Sequence, residues 1–390
     1  MQPDVVAWSG MTGEELHNLF PVLYHRASHD ALEASGHARD WLTFVRSGYT
    51  GSSQYSPLVW GGDPDASFAP TGGLPSQVRA AINIGLSGVP NWGSDIGGFK
   101  CLADGSDAAD GELWARWIQF GAMTPNMQDQ NACTGGAGGS AGKASIWTEP
   151  DAMAAWATYA RLHTRLFPYF YTLAHEANAT GAPVVRHLFA MHPDRGDLAA
   201  VDDQFYCGPA LLVAPVVTRG ERAREVILPT GLYLDWREQT LHEAGTITAD
   251  APLDKLPLYL RDGHLVPLLD PTIDTLDDGD HPGVVGPAEV ADVYDVVGLV
   301  SPTTGAAAFT LWDGGTLRVT WSGGFAAGAL TVAANEADLA TCDGCFRSEA
   351  LGAGLQRVRL STTATAVTAG GLEVQVSVGR RVRWDLYLVE

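Results

Sequence analysis

Basic residues are scarce in this chain, and the shortage limits which partners it can have. The 390 residues include 24 Lys and Arg against 45 Asp and Glu, so the formal net charge at pH 7 is −21. Because such a surface repels polyanions, we expect neither nucleic acid nor an anionic membrane surface as a partner. The sequence has no uninterrupted apolar run of about 18 residues, so no membrane-spanning helix is predicted.

Cysteines are also few, with five in the whole chain. Cys101, Cys133 and Cys207 are scattered along the sequence and are expected to be core thiols. Cys342 and Cys345 form a single C-x-x-C without a second pair or a nearby His. A zinc site is therefore not expected, and a local disulfide or two free thiols are the alternatives.

The first residues lack the basic start and the apolar stretch of a secretory signal. A cytoplasmic location is therefore the expectation. No sequence feature indicates an oligomeric state.

The pattern of apolar residues along the sequence changes near residue 182. Before it, apolar runs alternate with helical patterns. A buried strand is predicted over 41–48, and a helix over 75–90 with Ser76 as its cap and Gly88 as its stop. A long amphipathic helix is predicted over 149–167, broken at Pro168. This alternation is typical of α/β structure.

After residue 182 the apolar residues alternate with a period of two, in short runs separated by turn residues. This pattern predicts all-β sandwich structure, divided into two modules by a Pro- and Asp-rich linker over 269–289. The α/β part has only about 180 residues, whereas a whole (β/α)8 barrel usually needs about 250. It is therefore either a small α/β domain or the later part of something larger.

One glycine-rich segment, 135–144, contains the pattern G-x-S-x-G around Ser140. A nucleophile elbow needs a strand immediately before it, and the preceding residues do not predict one. A flexible loop is the expectation, and a serine hydrolase using Ser140 is a rival class that a fluorophosphonate probe would reveal.

Aromatic residues stand beside acids at the ends of two Gly-rich segments of the α/β part. Trp60 precedes Asp63, and Trp92 and Phe99 flank Asp95. Core packing is the simplest role for each ring. However, sugars present apolar faces to rings and hydroxyls to carboxylates, and a partly desolvated acid suits general acid catalysis. The two segments therefore predict a carbohydrate site.

Six ordered blocks resemble glycoside hydrolase family 31, which includes α-glucosidases, α-xylosidases and sulfoquinovosidases. The blocks are "RSGYTGSSQYSPLVWGGD" (46–63), "GLSGVPNWGSDIGGF" (85–99), "ELWARWIQFGAMTP" (112–125), "LFPYFYTLAHEANATGAPVVRHL" (166–188), "DQFYCGPALLVAPVV" (203–217) and a last one within 228–268.

The resemblance implies an α/β plus all-β fold, in which the later part of a (β/α)8 barrel is followed by two β-sandwich domains. Residues 1–182 would be the partial barrel and 183–268 the proximal sandwich. Residues 269–289 would be the linker and 290–390 the distal sandwich.

The resemblance also implies a retaining mechanism with two carboxyl groups about 5–5.5 Å apart. Asp63 matches the general acid/base, and Arg46 matches an arginine that hydrogen-bonds the sugar. Phe99 matches an aromatic wall of the subsite, Asp95 a supporting polar residue, and Trp60 would shield the acid from water. An ion pair between Arg46 and Asp63 or Asp95 is the simpler structural expectation, and it is compatible with the functional role.

Two departures from the family pattern affect the expected substrate. Gln128 and Gln130 stand where Arg-x-His is common, and Pro64 stands where an Asn follows G-D. Amides can still bond sugar hydroxyls, but they carry no charge. We therefore do not expect an anionic sugar, and plain α-glucosidase specificity is not implied.

A third departure concerns the nucleophile. In the family it lies in an Asp-x-x-Glu type motif not far before the "HN" seen here at His17–Asn18, and only Asp4 lies upstream. The expectation is that the chain begins after the nucleophile and is inactive alone. The leading interpretation is a retaining α-glycosidase segment with a carbohydrate substrate and no cofactor or metal. The alternative is a noncatalytic carbohydrate-binding or interaction protein on a degenerate barrel.

Overall fold

The computed structural model describes residues 2–37, 40–100, 110–130, 146–279, 281–323, 346–363, 366–369 and 371–390. They form two compact units. The first comprises Met1–Trp156, Glu176–Gly208 and Pro215–Glu221, and the second comprises Ala157–His175, Pro209–Ala214 and Arg222–Glu390. None of the described helices is both long and apolar enough to span a bilayer.

The first unit contains four short parallel strands that pair in chain order. They are β1 (Phe44–Val45), β2 (Leu58–Trp60), β3 (Trp92–Asp95) and β4 (Asn126–Gln128). Its first three helices are α1 (Gly13–Ala34), α2 (Leu74–Leu86) and α3 (Gly111–Gly121). Because α2 connects β2 to β3 and α3 connects β3 to β4, the order is that of consecutive βα units of a barrel. Among the described residues, β1 pairs only with β2, and β4 only with β3.

Helix α3 lies at the centre of this unit. All of its residues from Leu113 to Gly121 are buried. Asp110 caps its start by accepting a hydrogen bond from the Leu113 N–H at 3.0 Å. The indole N–H of Trp117 donates to the Ser94 hydroxyl at 2.9 Å, which ties the helix to β3. Burial of each such aromatic side chain contributes on the order of 2–3 kcal/mol, so α3 holds the strand ends in place.

Helix α1 differs because most of its surface is exposed. It begins with a capping box between Thr12 and Glu15, yet only Gly13, Leu16 and His25 are buried. Large apolar side chains on and near it remain exposed: Trp8, Leu19, Phe20, Leu23 and Tyr24. In the described residues nothing covers these side chains.

The helices predicted from sequence are confirmed, with corrections at their ends. The helix predicted over 75–90 begins at Leu74 after the cap residue Gly73, so the predicted cap at Ser76 is wrong, and it ends at Leu86, before Gly88. The Ser76 hydroxyl instead donates to the Gly73 carbonyl at 2.7 Å. The strand predicted over 41–48 is too long, because only β1 (Phe44–Val45) forms. The Phe44 ring is exposed rather than buried.

The long pattern over 149–167 divides as predicted. Its two helices are α4 (Pro150–Arg165) and α5 (Phe167–Thr180), with Pro168 in the first turn of the second. A short helix, α6 (Leu188–Met191), lies between the antiparallel partners β5 (Val185–Arg186) and β6 (Phe205–Cys207).

In its described residues the second unit is mainly β, apart from its share of α4 and α5 and a 3₁₀ helix (Ala288–Val290). Its first strands form one antiparallel sheet in the order β7-β10-β8-β9: β7 (Leu211–Val213), β8 (Ala223–Asp235), β9 (Leu241–Asp250) and β10 (Leu258–Arg261).

Two further sheets pack on each other. The five-stranded sheet has the order β11-β12-β19-β16-β15, from β11 (His264–Leu269), β12 (Val293–Val300), β15 (Phe346–Gly352), β16 (Leu355–Thr362) and β19 (Arg381–Val389). The four-stranded sheet has the order β13-β14-β18-β17, from β13 (Ala306–Thr310), β14 (Thr316–Trp321), β17 (Ala366–Ala369) and β18 (Leu372–Val376). Their inner faces share a core that includes Val296, Trp321, Val374 and Trp384.

The strand β11 lies before the linker expected over 269–289, yet it pairs with β12, which follows that segment. The last module therefore takes one strand from the sequence assigned to the module before it. The fold class expected from the sequence, a partial barrel followed by β domains, is confirmed.

Candidate active site

Four polar residues stand at the carboxyl ends of the four parallel strands. Arg46 follows β1 directly, Asp63 follows β2 after two glycines, and Asp95 and Gln128 are the last residues of β3 and β4. Carboxyl ends of parallel strands meet at one edge, which in barrel enzymes carries the active site. Four of the residues predicted to form the site therefore lie at this edge.

Arg46 and Asp63 form an ion pair. The Arg46 Nη1 lies 3.1 Å from the Asp63 Oδ2. The Asp63 side chain is 20% exposed and the Arg46 side chain 55%. The carboxyl group is thus mostly shielded, while the guanidinium group reaches solvent. The expected ion pair is confirmed for Asp63.

Asp95 is held by an amide relay along β4. The Gln128 Nε2 donates to the Asp95 Oδ1 at 2.6 Å, and the Asn126 Nδ2 donates to the Gln128 Oε1 at 2.9 Å. Asp95 is fully buried, and its backbone position is the register partner of Gln128. Both ends of the Gln128 amide are thus used within the protein. The sequence analysis missed Asn126, although its spacing of two from Gln128 places both on one strand face.

Trp92 lies beneath the site rather than in it. It is buried, and its ring centroid lies 6.2 Å from that of Phe120. A Cβ at Gly61 would come within 2.7 Å of the Trp92 Cζ2 and 2.1 Å of the Gln77 Oε1. Gly61 is therefore required for close packing between the Asp63 loop, Trp92 and Gln77. The sequence analysis missed Gln77, which no motif distinguishes from other residues of its helix.

Trp60 is half-buried beside the edge strand. Its ring centroid lies 4.8 Å from that of Phe44, with 37° between the ring planes. The two rings thus pack together on β1 and β2, the strands that precede Arg46 and Asp63.

The Asp63 loop is locked to the turn that follows β3. The backbone N–H groups of Phe99 and Lys100 both donate to the Pro64 carbonyl, at 2.7 and 2.9 Å. Gly98 has φ +84°, and a Cβ there would lie 2.4 Å from the Ala66 Cα. Because a proline carbonyl serves both donors, the replacement of the family's Asn by Pro64 is compatible with this connection.

Phe99 is half-buried, and Gln130 is exposed. Within the described ranges, no group of three or more His, Cys, Asp or Glu side chains could hold a metal ion. Ser140 and the cysteines Cys101, Cys133, Cys342 and Cys345 lie outside the described residues. The described site thus offers a carboxyl group, a guanidinium group and aromatic rings, which is the chemistry that recognises a sugar ring.

The arrangement is the carboxyl edge of a (β/α)8 barrel, and comparison with known proteins agrees. Residues 2–173 match the model of the glycosyl hydrolases family 31 TIM-barrel domain, and residues 181–266 match the family 31 C-terminal domain. The chain belongs to glycoside hydrolase family 31.

Among its relatives, a sulfoquinovosidase from Agrobacterium fabrum is 31% identical over 66% of this chain and 38% of its own length. A probable alpha-glucosidase from Oryza sativa is 32% identical over 69% of this chain and 29% of its own length. A solved family 31 sulfoquinovosidase from E. rectale, bound to an aza-sugar inhibitor, has a TM-score of 0.58 at 26% identity. That comparison covers 67% of this chain and 39% of the other. The chain thus spans less than two fifths of these relatives.

Proposed function

We propose that this chain is the acid/base-bearing part of a retaining α-glycosidase that acts on a neutral sugar. The observation that carries the proposal is the Arg46–Asp63 pair at the carboxyl ends of adjacent parallel strands. Family membership supports the reaction class.

In the proposed mechanism, Asp63 transfers two protons. In the first step a carboxylate attacks the anomeric carbon while Asp63 protonates the glycosidic oxygen. The bond between the anomeric carbon and the glycosidic oxygen breaks, and the alcohol leaves. In the second step the Asp63 carboxylate takes a proton from water, which attacks the same carbon and displaces the enzyme carboxylate. The sugar is released with its original configuration.

Arg46 would change partner during this cycle. In the unliganded chain its guanidinium group is bound to Asp63, and its exposure leaves it able to turn toward a sugar hydroxyl. A sugar that takes over this hydrogen bond frees the Asp63 carboxyl for proton transfer. Phe99, Trp60 and the exposed Gln130 stand close to this edge in sequence and would contact the ring or its hydroxyls.

The attacking carboxylate is proposed to come from sequence that this chain does not contain. Two features support this: no Asp-x-x-Glu motif precedes His17–Asn18, and β1 has an unpaired outer edge in the described part of the chain. The exposed apolar side chains of α1 lie on the same N-terminal part of the unit, where further barrel elements would cover them.

A neutral sugar is proposed because Gln128 and Gln130 stand where a cationic Arg-x-His is common in the family. Both amides are uncharged, and that of Gln128 is already bonded to Asp95, so neither adds a cation that could pair with a sulfonate or a carboxylate. The relatives bear names that include both anionic and neutral sugars, so the names alone do not decide between them.

The test uses an Asp63→Ala variant in an enzyme that joins this chain to its upstream reading frame. We expect hydrolysis of poor leaving-group glycosides to fall at least a hundredfold, because general acid catalysis contributes about 10²–10⁴. Azide needs no general base, so it should restore turnover of an activated aryl α-glycoside and give an α-glycosyl azide.

A β-glycosyl azide would identify Asp63 as the nucleophile instead, and full activity without azide would refute any catalytic role. Asp65→Ala is the matched control, since Asp65 lies two residues away in the same loop and should keep most of its activity. The 390-residue chain alone should give no turnover. Normal turnover would refute the proposed external carboxylate.

A further inference from the structure

The second unit contains two neighbouring cavities that share a tryptophan. The Tyr387 cavity, named for one of its lining residues, has a volume of about 390 Å³, and the Tyr159 cavity about 420 Å³. Trp236 and Arg165 line both. Each volume lies within the range of about 300–1,000 Å³ that is usual for ligand pockets.

Trp236 is an accessible ring between these cavities. Its backbone N–H donates to the Leu258 carbonyl at 2.9 Å, which anchors its backbone beside β10. The residue is half-buried and lines both cavities. An indole that combines an apolar ring with an N–H donor is suited to bind a ligand that has both an apolar face and hydroxyl groups.

The charged groups of the Tyr387 cavity are already paired. Asp295 accepts from Arg165 at 2.9 Å and from Arg383 at 2.5 Å. Asp385 accepts two hydrogen bonds from Arg357, both at 2.6 Å. Within each pair the opposite charges cancel. The carboxylate lone pairs and guanidinium N–H groups that these hydrogen bonds do not use line the wall of the cavity.

The Tyr159 cavity repeats this pattern. Arg237 donates to the Asp254 carboxylate at 2.7 Å, and both side chains line the cavity. An inorganic anion would meet carboxylates as well as guanidinium groups in the Tyr387 cavity, and an apolar ligand would leave the polar walls unsatisfied. A neutral polyhydroxylated ligand matches both walls, because each hydroxyl can donate and accept.

The deeper wall of the Tyr387 cavity adds an aromatic hydroxyl group. Burial raises the pKa of Tyr387, so its hydroxyl stays protonated and able to donate. A phenol hydroxyl can donate and accept, as a sugar hydroxyl can.

We infer that the two cavities form one groove for a neutral oligosaccharide, with a sugar ring on either side of Trp236. The groove lies wholly in the second unit and uses none of the strand-end residues, so it is a noncatalytic site independent of the proposed hydrolysis. A chain of two or more sugars would fill both cavities, whereas a monosaccharide would fill one.

The test is calorimetric titration of the 390-residue chain with maltotriose, isomaltotriose, glucose and inorganic phosphate. We expect saturable binding of a trisaccharide, weaker binding of glucose, and no binding of phosphate. Trp236→Ala should weaken trisaccharide binding at least tenfold. Trp8→Ala is the matched control, because Trp8 is a fully exposed indole in the first unit and its loss should change nothing.

Two further variants separate this groove from the strand-end site and from misfolding. Arg46→Ala should affect binding at the strand-end site only, so the trisaccharide binding that Trp236→Ala removes should persist in Arg46→Ala. Trp236→Phe should give an intermediate loss because it keeps a ring but removes the N–H. No trisaccharide binding, equal losses in Arg46→Ala and Trp236→Ala, or preferential binding of phosphate would each overturn the inference. If Trp236→Ala does not fold by circular dichroism, the result for Trp236→Phe decides.

Discussion

Asp95 and Gln128 end neighbouring parallel strands in register, and their side chains meet at 2.6 Å. The carboxylate is fully buried, and the amide is oriented by a second amide from Asn126. The neutral Gln128 amide thus donates a hydrogen bond to the buried Asp95 carboxylate without adding a charge. This limits which residues can replace Gln128 at this strand end.

Replacing Gln128 by an acid should lower the free energy of unfolding by an amount that depends on pH. In Gln128→Glu two carboxyl groups face each other, so one of them must hold a proton when the chain folds. The unfolded chain binds no such proton at neutral pH, so the loss of stability grows as the pH rises. We expect a loss of about 2–4 kcal/mol at pH 7 and a smaller loss at pH 5, measured by urea unfolding.

Gln128→Met is the matched control for this substitution, because it removes the hydrogen bond without adding a charge. Its loss of stability should vary less with pH than that of Gln128→Glu, because only one carboxyl group is then buried at this position. A loss in Gln128→Glu that varies with pH no more than the loss in Gln128→Met would contradict the buried contact with Asp95.

The packing at Gly61 leads to a steric prediction. Gly61→Ala places a methyl group against the Gln77 amide and the Trp92 ring, so the loop that carries Asp63 must shift. We expect a loss of about 1–3 kcal/mol in the free energy of unfolding, as for other overpacked sites. Gly196→Ala, which meets no atom within 4 Å, should change stability by less than about 0.5 kcal/mol. Equal effects of the two substitutions would show that the site is not tightly packed.

Cys207 should be chemically inert in the native chain. It is fully buried, and burial raises the pKa of its thiol to about 12, with Arg186 opposing the shift. Because the thiolate is the reactive form, iodoacetamide at pH 8 should leave Cys207 unmodified until the chain unfolds. Peptide mass mapping before and after denaturation checks this residue separately from the other cysteines, and rapid native labelling would argue against its burial.

His264 should contribute to loss of stability in acid. Burial lowers the pKa of His264 below its ordinary value of 6.5, and its Nδ1 lies 2.9 Å from the Asp262 carbonyl. The unfolded chain therefore binds a proton more readily than the folded chain, so stability falls as the pH drops below about 6.5. His264→Asn, whose amide can replace the Nδ1 donor, should flatten this fall between pH 7 and pH 5.

The control for His264→Asn is His37→Asn, at a highly exposed histidine. This substitution should leave the pH dependence of unfolding unchanged. A His264→Asn profile that matches the original chain would show that His264 does not control this acid loss.

The family resemblance was sufficient to select the residues at the strand ends, but not to determine which way each side chain faces. Arg46, Asp63, Asp95 and Gln128 were all predicted as site residues, because their motifs resemble those of glycoside hydrolase family 31. Trp92 was predicted to contact substrate, yet it is buried against Phe120. Its orientation depends on the packing of α3, which is distant in sequence.

The hydrogen bond from Gln128 to Asp95 could not be predicted for a similar reason. An amide at a strand end can face a ligand or a neighbouring side chain, and only the register of β3 with β4 makes Asp95 its partner. The predicted strand over 41–48 failed because strand length depends on neighbours, and β1 has a neighbour on one side only in the described residues.

The pairing of β11 with β12 has a consequence for how the modules of this chain can be separated. The match to the family's C-terminal domain ends at residue 266, in the middle of β11. A recombination event at that point would split a strand and remove three of the six residue pairings between β11 and β12, those of His264, Leu265 and Val266. We therefore expect the two β modules to be exchanged between proteins as a single inherited unit, although sequence similarity alone would divide them.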